Sequence, residues 1–210
     1  MTTELQFWDR VAPKYARKPI PCPDQYARTL ERTSHYLHAD DEVIELGAGT
    51  GTTALKLARR VRRYWATDLS PGMLEIAQEK VWNAGGENIT LSVAEPGADA
   101  FLGQRADVVL AFNLFHLIGE TDAALAHVAR MVRPGGYFIS KTPCFARIGW
   151  RGWLIRGIVG AMRLPGYAPR VTFLSVESWQ AAIRAAGFEI VETGDHPATP
   201  PSHFVVARRR

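Results

Sequence analysis

Cysteine is scarce in this chain: Cys22 and Cys144 are the only two in 210 residues, and they stand far apart. No Cys-x-x-Cys pair and no Cys/His cluster occurs, so no metal site is expected. Two unpaired thiols fit a reducing, cytoplasmic compartment. Long apolar runs are missing too. A bilayer-spanning helix takes about 18 or more consecutive apolar residues, and no such run is present. The opening segment Met1 to Arg10 has no apolar core of the signal-peptide kind, and a cytoplasmic location is the expectation. Internal repeats and low-complexity tracts are absent. Charge of one sign is only in slight excess, 25 Lys and Arg against 21 Asp and Glu, or +4 net. Arg208, Arg209 and Arg210 supply much of that excess at the chain end, which reads as a solvated tail and not as a nucleic-acid surface.

What is present is an ordinary globular composition, 47% hydrophobic, enough for a single domain over 1–210 with a sizeable core. Residues 3–16 and 23–38 read as two helices separated by Pro19, Pro21 and Pro23, and together 1–40 forms an N-terminal helical cap. The rhythm then changes over 41–142. Apolar strands at Glu42 to Leu46, Tyr64 to Asp68, Ile89 to Ala94, Asp107 to Phe112 and Tyr137 to Lys141 alternate with helices at Thr52 to Val61, Pro71 to Asn83 and Glu120 to Val132. Such alternation predicts an α/β fold, a mostly parallel sheet with helices on both faces. Residues 175–210 add a helix, Ser175 to Ala186, and two strands, Phe188 to Thr193 and His203 to Ala207.

Residues 143–174 break the rhythm. Trp150, Trp153, Leu154, Ile158 and Met162 fall near helical spacing, with Arg147, Arg151, Arg156 and Arg163 between them. Two readings stand: an inserted lid whose apolar face covers a pocket, or an interfacial helix in which 147–163 touches an anionic membrane surface.

The chemistry concentrates where the first strand ends. In open parallel sheets, ligands bind beyond the carboxyl ends of the strands. There the chain reads Glu45-Leu46-Gly47-Ala48-Gly49-Thr50-Gly51, a strand-to-helix turn with glycine at alternate positions. The dinucleotide fingerprint is G-x-G-x-x-G; here position 52 is threonine. That spacing disfavours a nicotinamide-dependent oxidoreductase. Asp68 closes the second strand, where a carboxylate can accept two hydrogen bonds from ribose hydroxyls.

Four stretches, Val43 to Gly51, Ala66 to Ala77, Asp107 to Leu117 and Met131 to Ile139, resemble the ordered motifs of class I S-adenosylmethionine-dependent methyltransferases. Phe7 to Ala16 is similar to the N-terminal helix of the small-molecule branch. The resemblance implies a Rossmann-like seven-stranded sheet with its last strand antiparallel. It also implies S-adenosyl-L-methionine as cofactor, with S-adenosyl-L-homocysteine as product. By the same resemblance Glu45, Gly47, Ala48, Gly49 and Gly51 line the methionine end of the cofactor, and Asp68 holds the ribose. Leu69 and Met73 pack against the adenine, unless they are plain core. Glu95 lies near the adenine amino group, although Ala94-Glu95-Pro96 departs from the usual pattern. Phe112 and Asn113 border the methyl group, and Tyr15 forms a wall of the pocket. His116 has the ordinary pKa of a general base near neutrality, with packing as the competing role; Asp9 and Lys141 are weaker ionisable candidates. Asn113 is followed by Leu114 and Phe115, not by the Pro-Pro-aromatic signature of many nucleic-acid amino methyltransferases. The expected acceptor is therefore a small apolar or amphipathic molecule: a thiol, a phenol or quinol, or a lipid headgroup. A non-catalytic S-adenosylmethionine-binding partner protein is the alternative.

Overall fold

The computed structural model describes residues 3–95, 105–145, 170–198 and 201–210. Trp150, Trp153 and the rest of the lid or membrane helix, 147–163, lie outside the described residues, as does Pro96. Two N-terminal helices, α1 (Thr3–Arg17) and α2 (Pro23–Ser34), precede β1 (Glu42–Leu46), α3 (Thr52–Leu57), β2 (Arg63–Asp68), α4 (Pro71–Ala84), β3 (Ile89–Val93) and β4 (Ala106–Phe112). They are followed by α5 (Thr121–Met131), β5 (Val132–Pro143), α6 (Val176–Ala185), β6 (Phe188–Ala198) and β7 (Pro201–Arg209).

The strands form one seven-stranded sheet in the order β3-β2-β1-β4-β5-β7-β6. β1 to β5 run parallel, and β7 is antiparallel to both β5 and β6. The order reverses between β1 and β4, which makes the crevice at their carboxyl ends the topological switch point. β1 and β4 sit in the middle, and both are buried almost throughout; Val108 to Phe112 of β4 is a continuous apolar run, whereas β1 carries the buried Glu45 among its apolar residues.

Alternation along the strands divides the core in two. Ile44, Leu46, Val109, Phe115, Phe138, Trp179 and Val205 pack on the face covered by α5 and α6. Val43, Leu57, Tyr64, Leu110, Ile139, Phe204 and Val206 pack on the opposite face, with Ala54 of α3 and Leu30 of α2. Phe115 and Trp179 meet with ring centroids 4.7 Å apart. Burying each such ring is worth about 2 to 3 kcal/mol.

The element ends differ from the spacing-based expectations where local hydrogen bonding decides. α2 stops at Ser34, because the His35 N–H turns back to Arg32 and Thr33. α3 stops at Leu57 and tightens into a 3-10 turn, Ala58–Arg60. Val132 leaves the helix expected over Glu120 to Val132 and pairs instead with Ala106 on β4. α4 has both of its ends specified: the Ser70 side chain caps Met73 N–H, Pro71 opens the helix, and Gly85 ends it in a left-handed conformation. No helix among the described residues is long and apolar enough to cross a membrane.

Candidate active site

The register of the parallel strands builds the site. Glu45 is level with Ala66 on β2 and with Leu110 on β4; Leu110 is level with Ile139 on β5. Two residues further along, on the same face, stand Asp68 on β2, Phe112 on β4 and Lys141 on β5, with Phe112 and Lys141 direct partners. Gly47 follows the end of β1 between Asp68 and Phe112. One row at the carboxyl edge thus carries an acid, a bare turn, a ring and a base.

The three glycines of the turn all have left-handed backbones, but for different reasons. A Cβ on Gly47 would stand 2.8 Å from Leu114 Cδ1, and one on Gly51 3.0 Å from the Ala77 Cβ. Those two glycines permit close packing of the turn against the chain after β4 and against α4. A Cβ on Gly49 would meet nothing within 4 Å. Its backbone N–H donates to Asp68 Oδ2 at 2.8 Å, so the β2 carboxylate holds the turn open. Ala48 lies between, its N–H donating to the Thr67 carbonyl at 2.8 Å.

Asp68 also accepts from Ser70 N–H at 2.9 Å, through Oδ1. Burial raises its pKa, backbone N–H groups lower it, and the Asp9 carboxylate adds a rise. Each oxygen keeps a further lone pair. Glu45 is 2% exposed, and its Oε2 accepts from the Tyr64 hydroxyl at 2.9 Å. Burial, opposed by that hydrogen bond and reinforced by the Asp68 charge, pushes its pKa up to about 7. Tyr64 carries no spacing signal of its own. The period-two alternation of neighbouring strands, which puts Tyr64 and Glu45 on one face two positions apart, was the available clue.

α1 reaches this edge through Asp9. Its Oδ1 accepts from the Ser70 hydroxyl at 2.5 Å and from Gly72 N–H at 3.0 Å. The side chain considered as a weak catalytic candidate is therefore committed to the amino end of α4. Tyr15, on the same helix, is 50% exposed and packs edge-on to Trp8. Burial and then the Asp68 charge hold its phenol above the ordinary range. From α2, the Tyr26 hydroxyl meets Thr53 Oγ1 at 3.1 Å. Lys80 of α4 donates to Thr50 and Thr52 beside the turn.

Past β4, Asn113 is exposed, with φ 55°, and its N–H donates to the Lys141 carbonyl at 2.7 Å. His116 lies in a single 3-10 turn, Phe115–Leu117. Its Nδ1 is buried without a hydrogen-bond partner among the described residues. Burial drives its pKa down to about 4, so the ring is neutral at physiological pH. Both roots of the 143–174 segment close on it. The Phe145 ring lies 6.4 Å from the His116 ring, and Thr172 N–H donates to the His116 carbonyl at 2.6 Å. Met73 is 2% exposed and belongs to the buried core, Leu69 is partly exposed, and Glu95 is exposed at the end of its described segment. No cluster of three or more metal-ligating side chains occurs among the described residues.

A family described as "Methyltransferase domain" matches residues 19–193. The chain belongs to that family. It is 34% identical over 185 residues to the hybrid PKS-NRPS synthetase tasS of Hapsidospora irregularis, covering 80% of this chain and 4% of that protein. It is 28% identical over 177 residues to the highly reducing polyketide synthase easB of Emericella nidulans, covering 74% and 7%. The chain therefore spans less than a tenth of the length of these curated relatives. Among solved structures, the N-methyltransferase NodS of Bradyrhizobium japonicum, in complex with S-adenosyl-L-homocysteine, superposes with a TM-score of 0.74 at 14% identity, covering 99% of each chain. Magnesium protoporphyrin IX methyltransferase of Synechocystis, with the same product bound, gives 0.71 at 19%, covering 100% of this chain and 95% of that one.

The chain is an S-adenosylmethionine-dependent methyltransferase. Its turn fits that cofactor: the space beside Gly49 is free, Asp68 has acceptor capacity left beyond its backbone partners, and the buried Glu45 carboxylate has no cationic partner among the described residues.

Proposed function

We propose that this methyltransferase acts on a small apolar or amphipathic acceptor held at the β4–β5 end of the row. The observation that supports it is the polarity of that row, acidic over β1 and β2 and aromatic at Phe112, with open space beside Gly49. S-adenosylmethionine, when bound, supplies an electrophilic methyl group on a cationic sulfonium. Asp68 accepts hydrogen bonds from ribose hydroxyls. Glu45 and the turn residues Gly47, Ala48, Gly49 and Gly51 take the methionine end, with the carboxylate balancing its ammonium. Leu69 and Met73 close the adenine side, and Glu95 stands near its amino group. Phe112 and Asn113 border the transferred methyl, and Tyr15 walls the pocket from α1. Holding the two reactants in line carries much of the rate, and the apolar lining keeps water from the sulfonium.

His116 receives the proton of an acidic acceptor. It is neutral at physiological pH, and its buried Nδ1 has no hydrogen-bond partner among the described residues, although burial makes the ring a weaker base than a free imidazole. Of the acceptor classes compatible with the pocket, a thiol, a phenol or quinol, or a lipid headgroup, the oxygen-bearing ones agree best with relatives named as polyketide synthases. The test is a screen of thiols, phenols, quinols, oxygenated acyl chains, phospholipids, amines and nucleic acid, read as S-adenosylhomocysteine release. Methylation of an oxygenated acceptor supports the reading. Turnover confined to amines or nucleic acid refutes it.

A further inference from the structure

We propose that Lys141 is the anion-binding residue of the acceptor site, so that the acceptor carries an anionic oxygen that seats on the Lys141 ammonium. The inference rests on the methyltransferase reading of the row above. Lys141 is 9% exposed, on the same face of the sheet as Glu45 and Phe112. Its strand partners are Phe112 on β4 and Phe204 on β7, so apolar rings flank it on both sides. Its amine has neither a hydrogen bond nor an ion pair among the described residues. The groups that act on it through space are the Cys22 thiol at the start of α2, which favours the charged amine, and the His196 ring on β6; neither is a carboxylate.

A buried ammonium without a counter-ion is costly, and structural lysines avoid the cost by pairing or by reaching water. Here the amine has no carboxylate partner among the described residues, and a ligand that brings its own negative charge offsets the cost. The row also separates charge by function. Asp68 and Glu45 favour the cationic cofactor and repel an anionic acceptor. Lys141 stands three strand spacings from Asp68, about 14 Å at the usual separation, where an anion is held clear of both acids. Burial lowers the lysine pKa in the absence of ligand, and an anion in contact would restore it. The anionic oxygen is either the ionised nucleophile itself or an acid group elsewhere on the acceptor.

The experiment uses the full chain saturated with S-adenosylhomocysteine and two matched probe pairs, octanoate with octanamide and 4-nitrophenolate with 4-nitroanisole. Binding is measured by calorimetry. The anion of at least one pair is expected to bind about tenfold tighter than its neutral partner, Lys141→Met to erase the preference, and Lys141→Arg to retain it. Product affinity should stay the same in all three proteins. A lysine-dependent preference confined to 4-nitrophenolate assigns the anion to the nucleophile; one seen with octanoate assigns it to a separate acid group. Equal binding within both pairs by the wild-type chain overturns the proposal, even if a variant fails to fold. So does a preference that survives Lys141→Met. Failure of the wild-type chain to bind S-adenosylhomocysteine strikes instead at the reading beneath it.

Discussion

Glu45→Gln tests the electrostatics of the cofactor edge without the cofactor. The buried carboxyl titrates at about 7 instead of its ordinary 4.5. Because the folded-state pKa is raised, folding favours the protonated form. The penalty is absent below pH 4.5, grows between pH 4.5 and 7, and is complete above that. A shift of 2.5 units corresponds to at most about 3 kcal/mol. Glutamine keeps a carbonyl to accept the Tyr64 hydroxyl, and the cost of its extra N–H groups does not vary with pH. The stability difference between variant and wild type should therefore swing in favour of the variant by up to about 3 kcal/mol from pH 4.5 to 7.5. For a chain of this size that is about 6 to 12 °C in Tm. Thermal melts at a series of pH values read it directly. Saturating S-adenosylhomocysteine, whose ammonium balances the wild-type carboxylate, should narrow the gap at pH 7.5. A difference that does not change with pH, or that swings toward the wild type, refutes the reasoning.

Removing the ribose acceptor, Asp68→Ala, should weaken S-adenosylmethionine at least about tenfold, the worth of one or two charge-assisted hydrogen bonds; unchanged affinity in calorimetry removes Asp68 from the site. Gly49→Val should abolish cofactor binding, since the new side chain projects into the space that is free in this structure, and a left-handed backbone strains it further. Tight binding by a folded variant would place the cofactor elsewhere. Asp9→Ala should cost about 1 to 2 kcal/mol through the lost contacts with Ser70 and Gly72 and raise hydrogen exchange in residues 3–17 ahead of the sheet; uniform exchange changes would mean that α1 is held by other contacts.

The parts of the fold that were legible in the sequence are those a short window decides. β4 is buried on both faces, so its apolar run Val108 to Phe112 announces it, the glycine turn after Leu46 marks the end of β1, and Ser70, Pro71 and Gly85 mark both ends of α4. The antiparallel β7 came with the family resemblance, because nothing in Pro201 to Arg209 signals direction. At the site, the glycine turn and Asp68 stand out because each sits at a strand end where the ligand edge must be. The contacts that tune them do not. Asp9 finds Ser70 across 61 residues, and Tyr64 finds Glu45 only because β1 and β2 adopt one register. Lys141 looks like any strand-end lysine until the strand partners Phe112 and Phe204 show what surrounds it. His116 reads as a base of ordinary pKa until the fold buries it, and its titration then moves from near neutrality to about 4.

That move has a consequence for the whole protein, because Glu45 and His116 shift in opposite senses. The histidine pKa is depressed, so its contribution is whole above the unfolded value near 6.5 and is lost as pH falls toward 4. The glutamate contribution is whole below 4.5 and is lost as pH rises toward 7. Each spans about 2.5 units, or about 3 kcal/mol at most. Between pH 4.5 and 6.5 the two slopes have equal size and opposite sign, and for these two groups they cancel. Single variants should uncover what the wild type hides. Glu45→Gln leaves the histidine slope, so its Tm should fall steadily from pH 6.5 to 4.5. His116→Gln leaves the glutamate slope, so its Tm should fall over the same range in the other direction, from pH 4.5 to 6.5. The double variant should be flat again. Parallel Tm curves for the two single variants would show that at least one of these groups is far less buried in solution than in this structure, and the neutral His116 on which the proposed proton transfer depends would be the first assignment to give up.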